Sequence, residues 1–345
     1  MSPALPASAT EVRLRRLPEG LPRAGDFELV ERPLPRPAPG EVLVRNRYFQ
    51  LFAGLRTLLG GDTEGLPLPP LGVGDTLFGP ALGEVVSAPP GSGLAEGALV
   101  EHLAGWRTYA SVPVEGCTPV GAELPDPAAR LSSGSAAYAG LVHLAGLREG
   151  ETVLVTGAAG GVGSLAGQIA RRLGAARVIG TTGSPAKAER LRTELGYDAV
   201  LVRGAGSFAE QLRRAAPEGI DVLLDNVGGE QLAAAVLAAR QGARFALVGA
   251  LSGQLDPARG GGSAPTAVDV FRVITKGITL YGLNGGDHPE AGPEWLARFG
   301  DWLRAGEISF PHVRIPGMER APRALQDMLG GAHFGTVLVD LTGEG

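Results

Sequence analysis

Hydrophobic positions along this chain follow two rhythms, and the change between them falls near Asp126. Before it, short alternating or apolar runs are separated by glycine and proline: Phe27-Glu-Leu-Val-Glu31, Glu41 to Tyr48 with Val42 and Val44 on one face, Gly83 to Ser87, Ala98 to Val100, and Trp106 to Val114. Runs of period two bounded by turn residues predict strands. The stretch from Leu59 to Gly79, dense in glycine and proline, predicts loops. Short strands with turn chemistry between them imply a compact, partly open β-barrel-like domain.

After Asp126, helical spacing alternates with short buried apolar runs. The pattern predicts a helix over 128–145, a strand at Val153, Leu154 and Val155, and a helix in which Leu165, Ile169, Ala170 and Leu173 share a face. Strand 177–180, helix 186–195, strand 199–202, helix 207–216, strand 221–225, helix 229–240, strand 243–249 and strand 278–283 follow. Such alternation predicts an α/β unit, a doubly wound parallel sheet with right-handed crossovers and helices on both faces. The tail carries a helix over 295–306, the run Phe310 to Ile315, a helix over 320–329 and a strand over 336–340. That last strand matches the first set in character, so the C-terminus is expected to return to the first domain. The expected division is 1–125 with 311–345, and 126–310.

Between the predicted strand 153–155 and the helix after it lies Gly157-Ala-Ala-Gly-Gly-Val-Gly163. Glycines three apart provide a tight turn, a backbone that a ligand can approach, and close packing of helix on strand. In a chain with 54 glycines among 345 residues, such spacing alone can be a structural turn. The flanking strand and amphipathic helix supply the context of a dinucleotide site, with pyrophosphate at the helix N-terminus. The next strand bears on which dinucleotide. An NAD site places an acid at its end; this chain has Thr181, Thr182, Gly183 and Ser184 there, with Lys187 and Arg203 following. Missing acid and available cations favour NADPH, whose 2′-phosphate they would meet.

Charge and composition narrow the rest. A net charge of −5, with no basic cluster interleaved with aromatics, argues against a nucleic-acid partner. Met1 to Thr10 lacks the apolar core of a signal peptide, and the most apolar helical stretch, Leu232 to Leu251, is interrupted by Arg240, Gln241 and Arg244. A soluble, cytoplasmic protein without a membrane partner is expected. Cys117 is the one cysteine, and His102, His143, His288, His312 and His333 are scattered, so no metal is expected.

In this order of elements the chain resembles the medium-chain dehydrogenase/reductase superfamily, and within it the zinc-independent prostaglandin reductase and alkenal double-bond reductase branch, over residues 12–340. The resemblance is carried by Gly157 to Ala170, Gly183-Ser-Pro-Ala-Lys187, Asp225-Asn-Val-Gly-Gly-Glu230, Gly249-Ala-Leu-Ser252, Gly105-Trp106 with Tyr109, and Ala321-Pro-Arg-Ala-Leu325. It implies a GroES-like domain over 1–125 and 311–345 and a Rossmann domain over 126–310. It assigns the pyrophosphate to Gly157, Gly160, Gly161, Val162 and Gly163, and the 2′-phosphate side to Thr182, Ser184, Lys187 and Arg203. Asn226 and the turn Val248, Gly249, Ala250, Leu251 and Ser252 would line the ribose and nicotinamide, Leu283 and Asn284 the carboxamide, and His333 would lie near the nicotinamide. The strand over 278–283 resembles the one that pairs subunits in a homodimer.

The same resemblance implies hydride delivery from NADPH to the β-carbon of an α,β-unsaturated ketone, aldehyde or acyl thioester, with an enolate to stabilise and protonate. Tyr48 matches a tyrosine that the branch keeps near its pocket. Thr275 stands where the branch carries a tyrosine ahead of its dimer strand, so the usual hydroxyl donor is replaced by a shorter, less acidic one. Arg203 replaces a second tyrosine on the phosphate side, and His333 and Thr336 stand where Asn and Lys are usual. Asp225 reads as a strand-end residue. Alternatives are a quinone or carbonyl reductase, and an NADPH-binding cyclase or sensor without redox chemistry.

Overall fold

The structure, a computed structural model, describes residues 5–60, 63–64, 68–284 and 286–343. It divides into two compact units: Met1–Leu131 with Val313–Ala332 and Val337–Gly345, and Ser132–His312 with His333–Thr336.

In the first unit β1 (Ser8–Leu14) pairs antiparallel with β2 (Phe27–Pro33). The sequence reading does not contain β1, because its buried residues Ala9, Val12 and Leu14 break the period of two. The long strand β3 (Glu41–Leu51) is followed by α1 (Leu55–Gly60), β4 (Ala81–Ser87), β5 (Leu99–His102), β6 (Tyr109–Pro113) and β7 (Thr118–Pro119). Helix α1 runs into the stretch expected as loop, of which residues 61–62 and 65–67 lie outside the described residues. β3 pairs antiparallel with both β4 and β6, and bulges between Leu43 and Val44 and between Asn46 and Tyr48 let it twist between them. Val42, Val44, Val85, Val100, Ala110 and Val112 close the core beneath it.

His102, at the end of β5, is buried in this unit. Its Nδ1 accepts the Ala104 N–H at 3.0 Å, which puts the ring proton on Nε2, and Nε2 has no partner among the described residues. Burial, with Arg107 nearby, pushes its pKa down from 6.5 to about 4. The unfolded chain therefore binds the extra proton between those two values and the folded chain does not. Stability falls as pH is lowered through this window, by about 3 kcal/mol in all. Urea unfolding midpoints from about pH 7 to about pH 4 should show this slope, and His102→Gln should flatten it. An unchanged slope in the variant would place the titration elsewhere.

The helix expected over 128–145 is broken where the first unit gives way to the second. A 3₁₀ turn, Pro127–Leu131, precedes it, then come α2 (Gly134–Tyr138) and a π-helical turn, Ala139–Leu144, closed by the Ala145 N–H on the Gly140 carbonyl at 2.9 Å. A Cβ on Gly134 would lie 2.1 Å from the Trp295 ring, so α2 is set by an aromatic far along the chain. Then follow β8 (Thr152–Val155), α3 (Gly161–Arg172), β9 (Arg177–Thr182), α4 (Pro185–Leu195), β10 (Ala199–Val202), α5 (Phe208–Ala215), β11 (Ile220–Asp225) and α6 (Gly229–Ala238). β12 (Ala239–Leu247), α7 (Leu251–Gln254), α8 (Val270–Lys276), β13 (Thr279–Gly282) and α9 (Ala291–Arg304) complete it. β12 starts four residues before the expected strand, with an irregular register against β11 between Ile220 and Val222.

The six strands are parallel, in the order β10-β9-β8-β11-β12-β13. The order reverses between β8 and β11, and in open α/β sheets ligands bind outside the carboxyl ends of the strands at such a reversal. Leu154, Ile179, Leu201, Leu223 and Phe245 fill the core on one face. Helix α8 was not expected because Val270, Phe271 and Ile274 point to solvent, which leaves no buried stripe to read. Its ends are capped: Asp269 accepts the Arg272 N–H, and Gly277 closes the helix at φ 59°.

Beyond α9 the chain returns to the first unit through β14 (His312–Pro316), α10 (Ala321–Leu329) and β15 (Thr336–Asp340). The sheet there runs β14-β15-β3-β4-β5-β7, with β6 also on β3. No helix among the described residues is long and apolar enough to cross a membrane.

Candidate dinucleotide site

Every residue of β8 is buried, and the strand ends at Thr156 and Gly157 on the switch-point side of the sheet. Gly157 takes φ 61°, and its N–H is held by Thr181 Oγ1 at 3.0 Å while the Ala158 N–H is held by the Thr181 carbonyl at 2.8 Å. The turn at the end of β8 is thus pinned to the end of β9. α3 then starts from Gly160 without a side-chain cap, so its first N–H groups and the positive end of its dipole face outward, as an anion requires.

The glycines differ in what they do. A Cβ on Gly163 would lie 2.4 Å from the Gly157 carbonyl oxygen and 2.5 Å from Ala158 Cα, so Gly163 is demanded by helix-on-strand packing. Gly160 is exposed, and a Cβ there would meet only the Gly157 oxygen at 3.5 Å. The fold has room for a side chain at Gly160. Tyr197, which the sequence reading missed, donates to the Gly163 carbonyl at 2.6 Å; its ring takes the space that a Cβ on Gly167 or Gly180 would need.

A segment from the C-terminal tail closes the glycine turn. Gly335 bridges Gly160, and its N–H bonds the Ala159 carbonyl at 2.9 Å. Thr336 is buried, its hydroxyl has no partner among the described residues, and its Oγ1 lies 3.1 Å from where a Gly161 Cβ would stand. A buried orphan hydroxyl at the mouth of a helix N-terminus fits an anionic oxygen. Nothing in the spacing of Thr336 could have pointed to this.

At the end of β9, Thr181 and Thr182 are buried, and Thr181 also donates to Gln231 Oε1 at 2.7 Å. Ser184 is committed to capping α4, where it accepts the Lys187 N–H. The Lys187 ammonium donates to the His333 carbonyl, and its pKa is lowered by burial and by Arg190. The Arg203 backbone bonds the Thr182 carbonyl at 2.8 Å, and its guanidinium lies 3.1 Å from the Cβ position of Gly183. Lys187 and Arg203 therefore flank the same strand end, and residues 181–184 carry no carboxylate.

Asp225 and Asn226 end β11. Thr156 Oγ1 donates to Asp225 Oδ1 at 2.5 Å, and the Val227 and Gly228 N–H groups bond the same carboxylate. The Asn226 side chain donates to the Thr156 carbonyl at 2.7 Å. Asp225 thus stands at a strand end, as the sequence suggested, and locks the turn after it; burial raises its pKa. The turn 248–252 is laid on it: the Val248 and Gly249 N–H groups bond the Asp225 carbonyl, that of Leu251 the Asn226 carbonyl, and that of Ser252 the Val227 carbonyl. The Leu283 N–H bonds the Leu247 carbonyl at 2.9 Å, which sets Leu283 and Asn284 just past β13.

Two further expected residues lie on other elements. Thr275 is exposed on α8, and its hydroxyl donates to the Phe271 carbonyl of its own helix at 2.8 Å. Tyr48 belongs to the first unit, paired across the ladder with Asp340. Its hydroxyl accepts from Arg314 Nη1 at 3.3 Å, and that guanidinium lies 5.1 Å from the ring centroid.

A family profile described as zinc-binding dehydrogenase matches residues 161–301, and one described as N-terminal domain of oxidoreductase matches residues 10–120. The chain is 32% identical to prostaglandin reductase 1 of Mus musculus, over 93% of this chain and 95% of that one. It is 28% identical to the NADP(+)-dependent 2-alkenal reductase of Nicotiana tabacum, over 98% of each. The crystal structure of CurA from Vibrio vulnificus in complex with NADPH superposes with a TM-score of 0.87 at 29% identity, covering 96% of this chain and 99% of that one. The name of the first profile raises zinc, which in a catalytic site takes three protein donors and an open position. Of the residues expected around the nicotinamide, only His333 offers an imidazole, and the neighbouring Asp225 carboxylate is occupied by Thr156, Val227 and Gly228. That donor set does not fit a catalytic zinc. The chain belongs to the medium-chain dehydrogenase/reductase superfamily, as an NADP-dependent oxidoreductase of its zinc-independent prostaglandin reductase and alkenal double-bond reductase branch.

Proposed function

We propose that the protein reduces a carbon–carbon double bond conjugated to a carbonyl, in an enone, an enal or an acyl thioester. The observation that carries the cofactor half is the acid-free end of β9 with Lys187 and Arg203 beside it. The 2-alkenal reductase among the relatives supports the substrate half, since a 2-alkenal is a conjugated enal. NADPH, when bound, supplies the hydride that adds to the β-carbon. The N–H groups at Gly161 to Gly163 bind the pyrophosphate, Lys187 and Arg203 hold the 2′-phosphate, and Asn226, the 248–252 turn, Leu283 and Asn284 orient the nicotinamide. A proton must then reach the α-carbon, and negative charge on the carbonyl oxygen must be met by a donor.

Tyr48 is the donor assigned here. Burial, with Asp340 nearby, raises its pKa above the ordinary phenol value, so the hydroxyl keeps its proton at neutral pH. Its oxygen accepts from Arg314, which leaves the O–H to be given. Tyr48→Phe should lower kcat about tenfold or more with the NADPH KM within about twofold. Thr275→Val should leave both within about twofold, because that hydroxyl is spent inside α8. Equal kinetics for Tyr48→Phe and the parent would remove Tyr48 from the chemistry.

The reaction itself is decided by following NADPH consumption with enones, enals, crotonyl-type thioesters, quinones and simple ketones. Turnover confined to conjugated double bonds supports the proposal. Turnover on quinones or simple ketones alone replaces it with a quinone or carbonyl reductase, and tight NADPH binding without turnover on anything replaces it with a non-redox role.

A homodimer is part of the same reading. β13 is an edge strand whose Leu280 and Tyr281 are exposed, and the neighbouring α8 exposes Val270, Phe271 and Ile274. An open edge beside apolar side chains suits continuation of the sheet into a second copy. A single-chain mass in light scattering would remove it.

A further inference from the structure

The scattered histidines do not all stay scattered. His143 sits on the π-helical turn Ala139–Leu144, and His288 and Glu290 lie on the turn that leads into α9, whose first turn carries Glu294. His288 Nδ1 is 3.1 Å from Glu290 Oε1, and His143 Nδ1 is 3.6 Å from the same oxygen. One donor atom from each of these three residues lies within 4.8 Å of the others, and among the described residues this is the one such group of metal donors.

We propose that His143, His288 and Glu290 bind a divalent transition metal ion of the zinc class, at a site separate from the dinucleotide residues. Donors at about 2.0–2.1 Å from a tetrahedral ion stand roughly 3.3 Å apart, close to the two separations seen here. Two imidazoles and a carboxylate select zinc, cobalt or nickel over calcium or magnesium. The orientation of His143 is a second, independent feature. With Nδ1 turned to the Glu290 oxygen, its other nitrogen, Nε2, meets Glu294 Oε2 at 3.0 Å. A carboxylate on the far nitrogen of a ligating histidine fixes its tautomer and raises its basicity. The two imidazoles stack at 5.4 Å with 17° between their planes, and Tyr138 meets the His143 ring edge-on at 5.9 Å, so both rings are held in place. His143 lies on a π-helical turn, an element frequent at functional sites.

A bound ion would tie the turn after β13, which begins at Leu283 and Asn284, to the end of the α2 region. The rival explanation is a pair of histidine–glutamate ion pairs with no metal.

The test uses the full-length protein after chelator treatment and dialysis. Calorimetric titration with Zn2+ is expected to give one equivalent with micromolar or tighter affinity, and Zn2+ is expected to raise Tm by about 3 °C or more. Co2+ should give the visible bands of a four-coordinate ion without thiolate charge transfer. His143→Ala, His288→Ala and the exposed Glu290→Gln should each weaken binding about 100-fold, while Cys117→Ser binds as the parent does. Glu290→Gln keeps the test open if a histidine variant fails to fold. Absence of a stoichiometric site in the parent, or unchanged affinity in the His288→Ala and Glu290→Gln variants, overturns the proposal in favour of the ion pairs.

Discussion

Lys187→Ala should weaken NADPH binding about 10- to 100-fold and leave NADH binding within about twofold. A charge-assisted contact to a phosphate contributes about 1.5–3 kcal/mol, and every 1.4 kcal/mol is tenfold in affinity. Burial and Arg190 both disfavour the ammonium at Lys187, and a dianionic phosphate beside it relieves both. Arg203 is exposed, so Arg203→Ala should cost less, about three- to tenfold. The ammonium also bonds the His333 carbonyl, and that second role needs its own control. Lys187→Gln retains a donor for the carbonyl while removing the charge. If Lys187→Gln binds NADPH as the parent does, or if NADH affinity falls in parallel, Lys187 holds the tail in place and the 2′-phosphate is met elsewhere. Fluorescence titration of the reduced nicotinamide measures both affinities directly.

Gly163→Ala should damage folding and cofactor binding together, whereas Gly160→Ala should damage binding alone. At Gly163 a methyl group would lie 2.4 Å from one backbone oxygen and 2.5 Å from a Cα, and neither atom can move without shifting β8 against α3. Overpacking that forces backbone movement costs about 3 kcal/mol or more. The same shift moves the N–H groups of the first turn, so NADPH affinity should drop at least about 30-fold. At Gly160 the backbone is at φ −88°, which alanine adopts freely, and the nearest atom is 3.5 Å away. Its stability should therefore be unchanged or higher by about 0.5 kcal/mol. On the proposed reading the methyl group would stand instead where the pyrophosphate approaches. Unfolding midpoints and NADPH titrations on the two variants separate the glycine required by packing from the one proposed to face the ligand. Parent-like binding in Gly160→Ala would place the pyrophosphate elsewhere.

The parallel half of the fold was legible because its information is local. Buried strands such as Val153 to Val155 read as apolar runs, the helical spacing over 186–195 gives α4, and the lack of an acid after β9 is visible in four consecutive residues. The candidate glycine turn and Lys187 come from the same kind of signal. Elements that failed to appear lacked it: β1 buries residues out of period, and α8 buries no stripe at all.

By itself, then, the sequence determined the alternation of strands and helices, the glycine turn between β8 and α3, and the charge at the end of β9, since each depends on neighbours within a turn or a strand. Only the tertiary structure decided that residues 333–336 close over that turn, that Gly163 and not Gly160 is required by packing, that Tyr197 wedges beneath α3, and that His143 faces His288. Each joins residues distant in the chain, and such contacts are fixed by how helices and strands pack, for which spacing along the sequence carries no signal.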